Sequence, residues 1–269
     1  MTAREKLLKK LNAGLHICVG LDTDFNKVPT FLKKEKDPIY EFNKIIIEST
    51  KEDAAAYKIN FAFYEKLGAR GFDIIKKTLE LIPNNIFTIA DAKRGDIGNT
   101  SEMYAKAIFD EFNFDSITLH PYMGFDSLKP FLDYDKKLNF ILALTSNAGS
   151  NDFEKLKLEN GKYLYQHVIE KINEWNQFKN LGIVFGATNL DELKSNLKSF
   201  GDLFILLPGV GAQGGSLEEV VKAFHSIHSN NFLINVSRAL IYCDASEKFG
   251  EKVNLLIKNY NESISEILK

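Results

Sequence analysis

A single-domain (β/α)8 barrel of the α/β class is what this chain of 269 residues should form. Eight short apolar runs recur along it, at 16–21, 54–59, 86–90, 116–119, 140–144, 183–185, 203–207 and 233–236. Most are continuously apolar instead of alternating, which marks parallel strands covered on both faces. Helical patterns separate nearly every pair, and polar residues follow the apolar ones at nearly every strand end. That polar rim is where such barrels carry their chemistry.

The elements follow in order. Residues 2–12 read as a helix, with Thr2 and Glu5 spaced as a capping box and Leu7, Leu8 and Leu11 forming one stripe. The first strand, 16–21, ends in Gly20-Leu21-Asp22-Thr23-Asp24. Helical spacing over 38–53 places Phe42, Ile45 and Ile46 on one side, and over 71–80 it aligns Ile74, Ile75 and Leu79. The helix over 100–112 should open at Asn99, with Glu102 as its partner three residues on. Residues 127–134 give a helical turn at best. Further helices are expected at 160–178, 189–199 after Thr188, 217–228 after Ser216 with Glu219 at the third position, and 246–260. Long loops fall at 23–37 and 146–159, both after strands and therefore on the C-terminal face. The rival architecture, an open doubly wound sheet, has fewer strands and a dinucleotide loop after the first one. Neither trait is present, so residues 1–269 read as one catalytic domain.

Composition narrows the function. Apolar residues make up 45%, charged residues 26%, and the formal net charge is -2, which gives no basic surface for nucleic acid. No apolar segment approaches the roughly 20 residues that span a bilayer, and no signal peptide is visible. The two cysteines, Cys18 and Cys243, form no CxxC pair and read as reduced thiols. A cytoplasmic enzyme is expected.

The strand ends then supply candidate residues: Asp22, Lys58, Asp91 with Lys93, His120, Ser146, Thr188, Pro208 with Gly209, and Ser237 with Arg238. The sharpest segment is Asp91-Ala92-Lys93-Arg94-Gly95-Asp96. Residues 91 and 93 share one side of an extended strand by its period of two, and with Lys58 and Asp96 they make an alternating set of acids and lysines. Each charge lowers the cost of burying its neighbour. Such a set suits a reaction that forms a carbanion without a cofactor: a carboxylate disfavours the ground state and an ammonium stabilises and protonates the product. The plainer reading is an ion pair that ties down a loop. Lys58 alone would also suit a Schiff base.

Gly209, Gly211 and Gly214 fit a GxGxxG string, but it follows the seventh strand and no acid lies about 20 residues beyond, so a dinucleotide site is rejected. Glycine-rich backbone there can still meet an anion, and Ser216 caps the next helix. Arg238, after the eighth strand, can bind phosphate bidentately, and phosphate sites after strands 7 and 8 are common in this architecture. The alternative for Arg238 is a surface ion pair. His120 reads as structural. The five histidines form no HxH, HExxH or Cys/His set, so no metal site is expected, and no GxSxG elbow supports a serine triad.

These segments resemble the orotidine 5'-phosphate decarboxylase family, in particular its longer branch. The matching residues are Gly20-Leu21-Asp22, Tyr57-Lys58-Ile59-Asn60, Asp91-Ala92-Lys93-Arg94-Gly95-Asp96-Ile97-Gly98, Leu119-His120-Pro121-Tyr122-Met123-Gly124, Thr145-Ser146-Asn147, 207–215 and Asn235-Val236-Ser237-Arg238. The resemblance implies cofactor-free conversion of orotidine 5'-monophosphate to UMP and CO2 in pyrimidine biosynthesis. It implies that Lys93 donates the proton to C6, that Asp91 faces the substrate carboxylate, and that Lys58 and Asp96 complete the array. It further implies a homodimer in which Asp96 and Thr100 reach the neighbouring site. Asp22 would contact the ribose, Ser146 the pyrimidine edge, and Gln213 and Arg238 the phosphate, with Pro208, Gly215 and Ser237 alongside. Two rivals remain: a metal-dependent sugar-phosphate decarboxylase or aldolase of the same barrel group, and a catalytically silent nucleotide-binding protein on this scaffold.

Overall fold

In the computed structural model, which describes residues 1–210 and 214–269, eight parallel strands close into a barrel in sequence order, β1 pairing with both β2 and β8. The strands are β1 (Ile17–Leu21), β2 (Ala56–Asn60), β3 (Phe87–Arg94), β4 (Ser116–Leu119), β5 (Leu138–Leu144), β6 (Leu181–Phe185), β7 (Phe204–Pro208) and β8 (Phe232–Val236). All eight apolar runs are strands, within a few residues at each end.

Two cores explain why those runs do not alternate. Ile17, Val19 and Leu21 of β1 point outward and pack with the surrounding helices. Cys18 points inward, joining Ala56, Phe87, Ile89, Leu138, Phe140, Val184, Phe204, Leu206 and Leu233 in the barrel interior. Each strand is apolar on both faces because each face buries apolar surface. The first helix, α1 (Ala3–Asn12), starts with the expected capping box between Thr2 and Glu5 and belongs to the inner core. Its Ala3, Leu7 and Leu11 close the N-terminal end of the barrel, and Lys6 is tied to Asp115 at 2.8 Å. The barrel is therefore a cup, open only on the C-terminal face.

The outer helices are α2 (Pro38–Thr50), α3 (Ala62–Glu65), α4 (Ala69–Leu81), α5 (Gly98–Lys106), α6 (Phe125–Leu132), α7 (Leu164–Trp175), α8 (Leu190–Asn196), α9 (Leu217–His225), α10 (Arg238–Ile241) and α11 (Phe249–Leu268). Three sequence expectations need correction. Most of 127–134 belongs to a two-turn helix, α6, which runs to Leu132 despite Pro130 within it. Burial of Leu128, Phe131 and Leu132 holds it, and Ser127 Oγ donates to Gly124 O at 2.7 Å. Asn99 does not cap α5, which begins at Gly98 after Ile97; Glu102 pairs forward with Lys106 at 2.7 Å. At α9 Ser216 does cap, accepting from Glu219 N at 3.3 Å, but the Glu219 carboxylate turns to Lys194 at 2.8 Å. Among the described residues no helix is long and apolar enough to cross a membrane.

Candidate active site

The inward positions of the strands run upward from an apolar floor to a charged rim. Gly20 is level with Lys58, Lys58 with Ile89, and Asn60 with Asp91. One layer above Cys18 and Ala56, apolar side chains give way to ions.

Asp91 is the hub. Its Oδ2 accepts from Lys58 Nζ at 2.7 Å and its Oδ1 from Lys93 Nζ at 2.6 Å. Thr118 Oγ1, from β4, donates to the same Oδ1 at 3.0 Å. Lys58 also lies 3.8 Å from Asp22 Oδ1. Burial alone would push the Asp91 carboxyl up. The ammonium groups of Lys58 and Lys93 outweigh it and hold the group ionised, well below the usual carboxylate range. For Lys58, burial disfavours the charge, but Asp91 and Asp22 hold it above the ordinary lysine value. Lys58 and Asp91 are buried, whereas the Lys93 side chain is 51% exposed and faces the mouth of the cup.

Lys93 reaches this place by a different route from simple strand alternation. The β3–β4 register shifts between Ala90 and Arg94, and Lys93 has φ +47°. The bulge and the left-handed residue return the side chain to Asp91. Lys93 N donates to Thr118 Oγ1 at 3.1 Å, and Arg94 Nη1 donates to Ala92 O at 3.0 Å. Arg94 is also paired with Glu65 and lies over the rings of Phe61 and Tyr104.

Beside the array, Ser237 Oγ donates to Asp22 Oδ2 at 2.7 Å. Gly20 makes this contact possible: a Cβ there would stand 2.7 Å from Ser237 Cβ. Tyr242, beyond α10, braces the same turn by donating to Asp22 O at 3.2 Å and accepting from Asp24 N at 2.7 Å. At the end of β7, half-buried Pro208 leads into Gly209 (φ +99°), and Gly214 (φ +89°) precedes Gly215, whose N donates to Gly209 O at 3.1 Å. Both positive angles suit glycine alone. Arg238 opens α10, is exposed, and makes no ion pair among the described residues, so the surface-pair alternative for it is not realised. Gln213 lies outside the described residues. An exposed guanidinium and a glycine turn on adjacent strands are equipped to meet an anion.

On the other side of the mouth, half-buried Ser146 follows β5. Its neighbour Thr145 is held at both ends: Thr145 N donates to Glu154 at 2.7 Å, and Asn189 Nδ2 donates to Thr145 O at 3.0 Å. Next to this rim lies a cavity of about 890 Å³ lined by His120, Leu142, Phe153, Glu154, Tyr165 and Trp175, among others.

Asp96 does not join the array within one chain. Its carboxylate accepts from Ile97 N at 2.8 Å and forms no ion pair among the described residues. Thr100 is exposed on the first turn of α5. Around them Ile97, Met103, Tyr104, Tyr122 and Met123 leave large apolar side chains in solvent.

Sequence reasoning missed Thr118, Glu154 and Tyr242. Thr118 had a usable signal, since it stands two residues before His120 and so shares its inward side. Tyr242 had none, because it acts across more than two hundred residues; Glu154 is only nine residues from Thr145, but it stands in an irregular loop whose path no periodicity gives.

The chain is similar to known proteins over nearly its whole length. Residues 16–250 match the family described as Orotidine 5'-phosphate decarboxylase / HUMPS. An orotidine 5'-phosphate decarboxylase of Christiangramia forsetii is 50% identical over 254 residues, covering 93% of each chain. One of Flavobacterium johnsoniae is 45% identical over 267 residues, 98% of this chain and 96% of that one. The solved structure of Leishmania donovani OMP decarboxylase superposes with a TM-score of 0.82 at 36% identity, covering 97% of this chain and all 100% of the other.

Proposed function

The chain belongs to the orotidine 5'-phosphate decarboxylase / HUMPS family, and from that premise we propose that its barrel converts orotidine 5'-monophosphate to UMP and CO2. The observation that carries this reading is the Lys58–Asp91–Lys93 array at the charged rim of the cup, above its apolar floor.

The phosphate binds where Arg238 and the glycine turn after β7 converge, with Gln213, Gly215 and Ser237 contributing. That distant grip supplies binding energy that is used on the reacting ring. Asp22 holds the ribose end, and Ser146, braced through Thr145 by Glu154, reads the pyrimidine edge. The C6 carboxylate is then pressed toward Asp91, which its lysines keep ionised. Two carboxylates at close range repel, and loss of CO2 relieves the repulsion. The pair of electrons left on C6 faces the Lys93 ammonium, which stabilises the carbanion and gives it a proton.

The metal-dependent rival fits less well. Both oxygens of Asp91 are already occupied by ammonium groups, Lys58 on Oδ2 and Lys93 on Oδ1, so a divalent ion would meet positive charge there. A second copy of the chain completes the site in this proposal. It covers the exposed apolar side chains around α5, and its Asp96 and Thr100 enter the neighbouring cup.

The test is a direct decarboxylation assay on the purified protein, following the absorbance of orotidine 5'-monophosphate with and without EDTA. Turnover unaffected by chelation is expected. Lys93→Ala should lose most of it, general acid catalysis alone contributing about 10²–10⁴-fold. Activity abolished by EDTA, or a Lys93→Ala enzyme near the native rate, overturns this reading.

A further inference from the structure

We propose that Thr118 is a positioning residue for the decarboxylation: it fixes Asp91 and Lys93 as one rigid unit. The inference rests on the reading of the active site given above and adds a residue to it.

Four atoms form a closed ring. Lys93 N donates to Thr118 Oγ1 at 3.1 Å, and Thr118 Oγ1 donates to Asp91 Oδ1 at 3.0 Å. That oxygen accepts from Lys93 Nζ at 2.6 Å, and the lysine side chain closes the circuit back to its own backbone. One hydroxyl thus uses its donor on the carboxylate and an acceptor lone pair on the peptide. No apolar side chain of the same shape does either.

The ring sits where the backbone most needs support. Lys93 holds φ +47°, a left-handed conformation that costs a residue with a Cβ about 1–2 kcal/mol. Such a conformation persists when its surroundings over-determine it. Here they do so from both sides: Thr118 takes the Lys93 N–H, and Arg94 takes the preceding Ala92 carbonyl at 3.0 Å. Thr118 is itself only 1% exposed and fixed in β4 by pairing with β5, level with Phe140. The strand therefore transmits its own rigidity to a side chain that is otherwise half in solvent.

Without the hydroxyl, Lys93 can relax out of the left-handed region and swing away from Asp91. The ammonium would then stand off the developing carbanion, while the phosphate and ribose contacts, on β1, β7 and β8, stay in place. The consequence falls on the chemical step and not on binding.

The experiment compares Thr118→Val and Thr118→Ser with the unaltered protein in the orotidine 5'-monophosphate assay and in thermal unfolding. Thr118→Val should lower kcat about 10- to 100-fold, the scale of a misplaced catalytic group, with KM within about twofold. Thr118→Ser should stay within about threefold of the unaltered kcat, because it keeps the hydroxyl. Should the valine variant fail to fold, Thr118→Ala against Thr118→Ser carries the same contrast. The proposal is overturned if Thr118→Val keeps its kcat, if kcat and KM change in parallel, or if the serine variant is as slow as the valine one. An unaltered protein that does not turn over the substrate would instead sink the functional reading, whatever Thr118 does.

Discussion

Replacing Lys58 by methionine tests the electrostatics of the array through stability alone. The ammonium lies 2.7 Å from Asp91 Oδ2 and 3.8 Å from Asp22 Oδ1. At an effective dielectric constant of about 20 those attractions amount to about 6 and about 4 kcal/mol. Removing the lysine also removes its own desolvation cost, several kcal/mol for a buried ion. Asp91 is left with Lys93 and Thr118, so the charge is not wholly abandoned. The net loss at neutral pH should be about 3 kcal/mol, the lower end of what breaking a buried pair costs. That corresponds to a fall in Tm of roughly 6–10 °C for a domain of this size.

The pH dependence gives the sign. The folded-state pKa of Asp91 is depressed by its lysines, so its contribution is present above the ordinary carboxylate value, about 4, and is lost as pH falls below it. In Lys58→Met, burial opposes the same carboxylate with one ammonium fewer. The gap between the two proteins should therefore narrow as pH drops through the carboxylate range. Urea unfolding at pH 7 and near pH 3, at equal protein concentration, measures both quantities. A variant within about 0.5 kcal/mol of the original at pH 7, or a gap that widens in acid, would refute the reasoning.

Two further outcomes are expected. Lys93→Ala and Asp96→Asn should each be nearly inactive alone, yet subunits mixed at equal amounts should recover about a quarter of the native activity. Half the dimers are then mixed, and each has one intact site of two; no recovery after subunit exchange would remove Asp96 from the neighbouring site. His16 is buried with Nδ1 at 3.0 Å from Phe232 O and Nε2 without a hydrogen-bond partner among the described residues, and burial lowers its pKa to about 4. The protein should lose roughly 3 kcal/mol from this group as pH falls from about 6.5 to 4, since the unfolded chain takes the proton first. His16→Phe should flatten the stability profile in that window, and parallel profiles would show that His16 contributes nothing to acid sensitivity.

The barrel was legible because its chemistry is local. A strand buried on both faces needs an apolar residue at every position, and that pattern survives in one dimension. The rim was legible for the same reason, since Asp22, Lys58 and Asp91 each stand where an apolar run gives way. Lys93 was placed correctly on an incomplete argument. Alternation put it beside Asp91, whereas the structure needs a bulge and a left-handed residue to do so. No residue type announces that conformation when a lysine adopts it. Thr118 went unread because threonine is an ordinary strand former, and its use depends on what lies across β3. The α6 helix was underestimated because Pro130 argues against it locally, while burial of Leu128 and Phe131 settles it at longer range.

The plug formed by α1 has an electrostatic consequence. With Leu7 and Leu11 sealing the floor and Phe87, Phe140, Phe204 and Leu206 filling the space above it, the medium beneath Lys58 is poorly polarisable. Water can screen the ions from one direction only. Field lines from the array are thereby directed toward the opening, and the helix farthest from the chemistry strengthens the potential that a bound molecule meets.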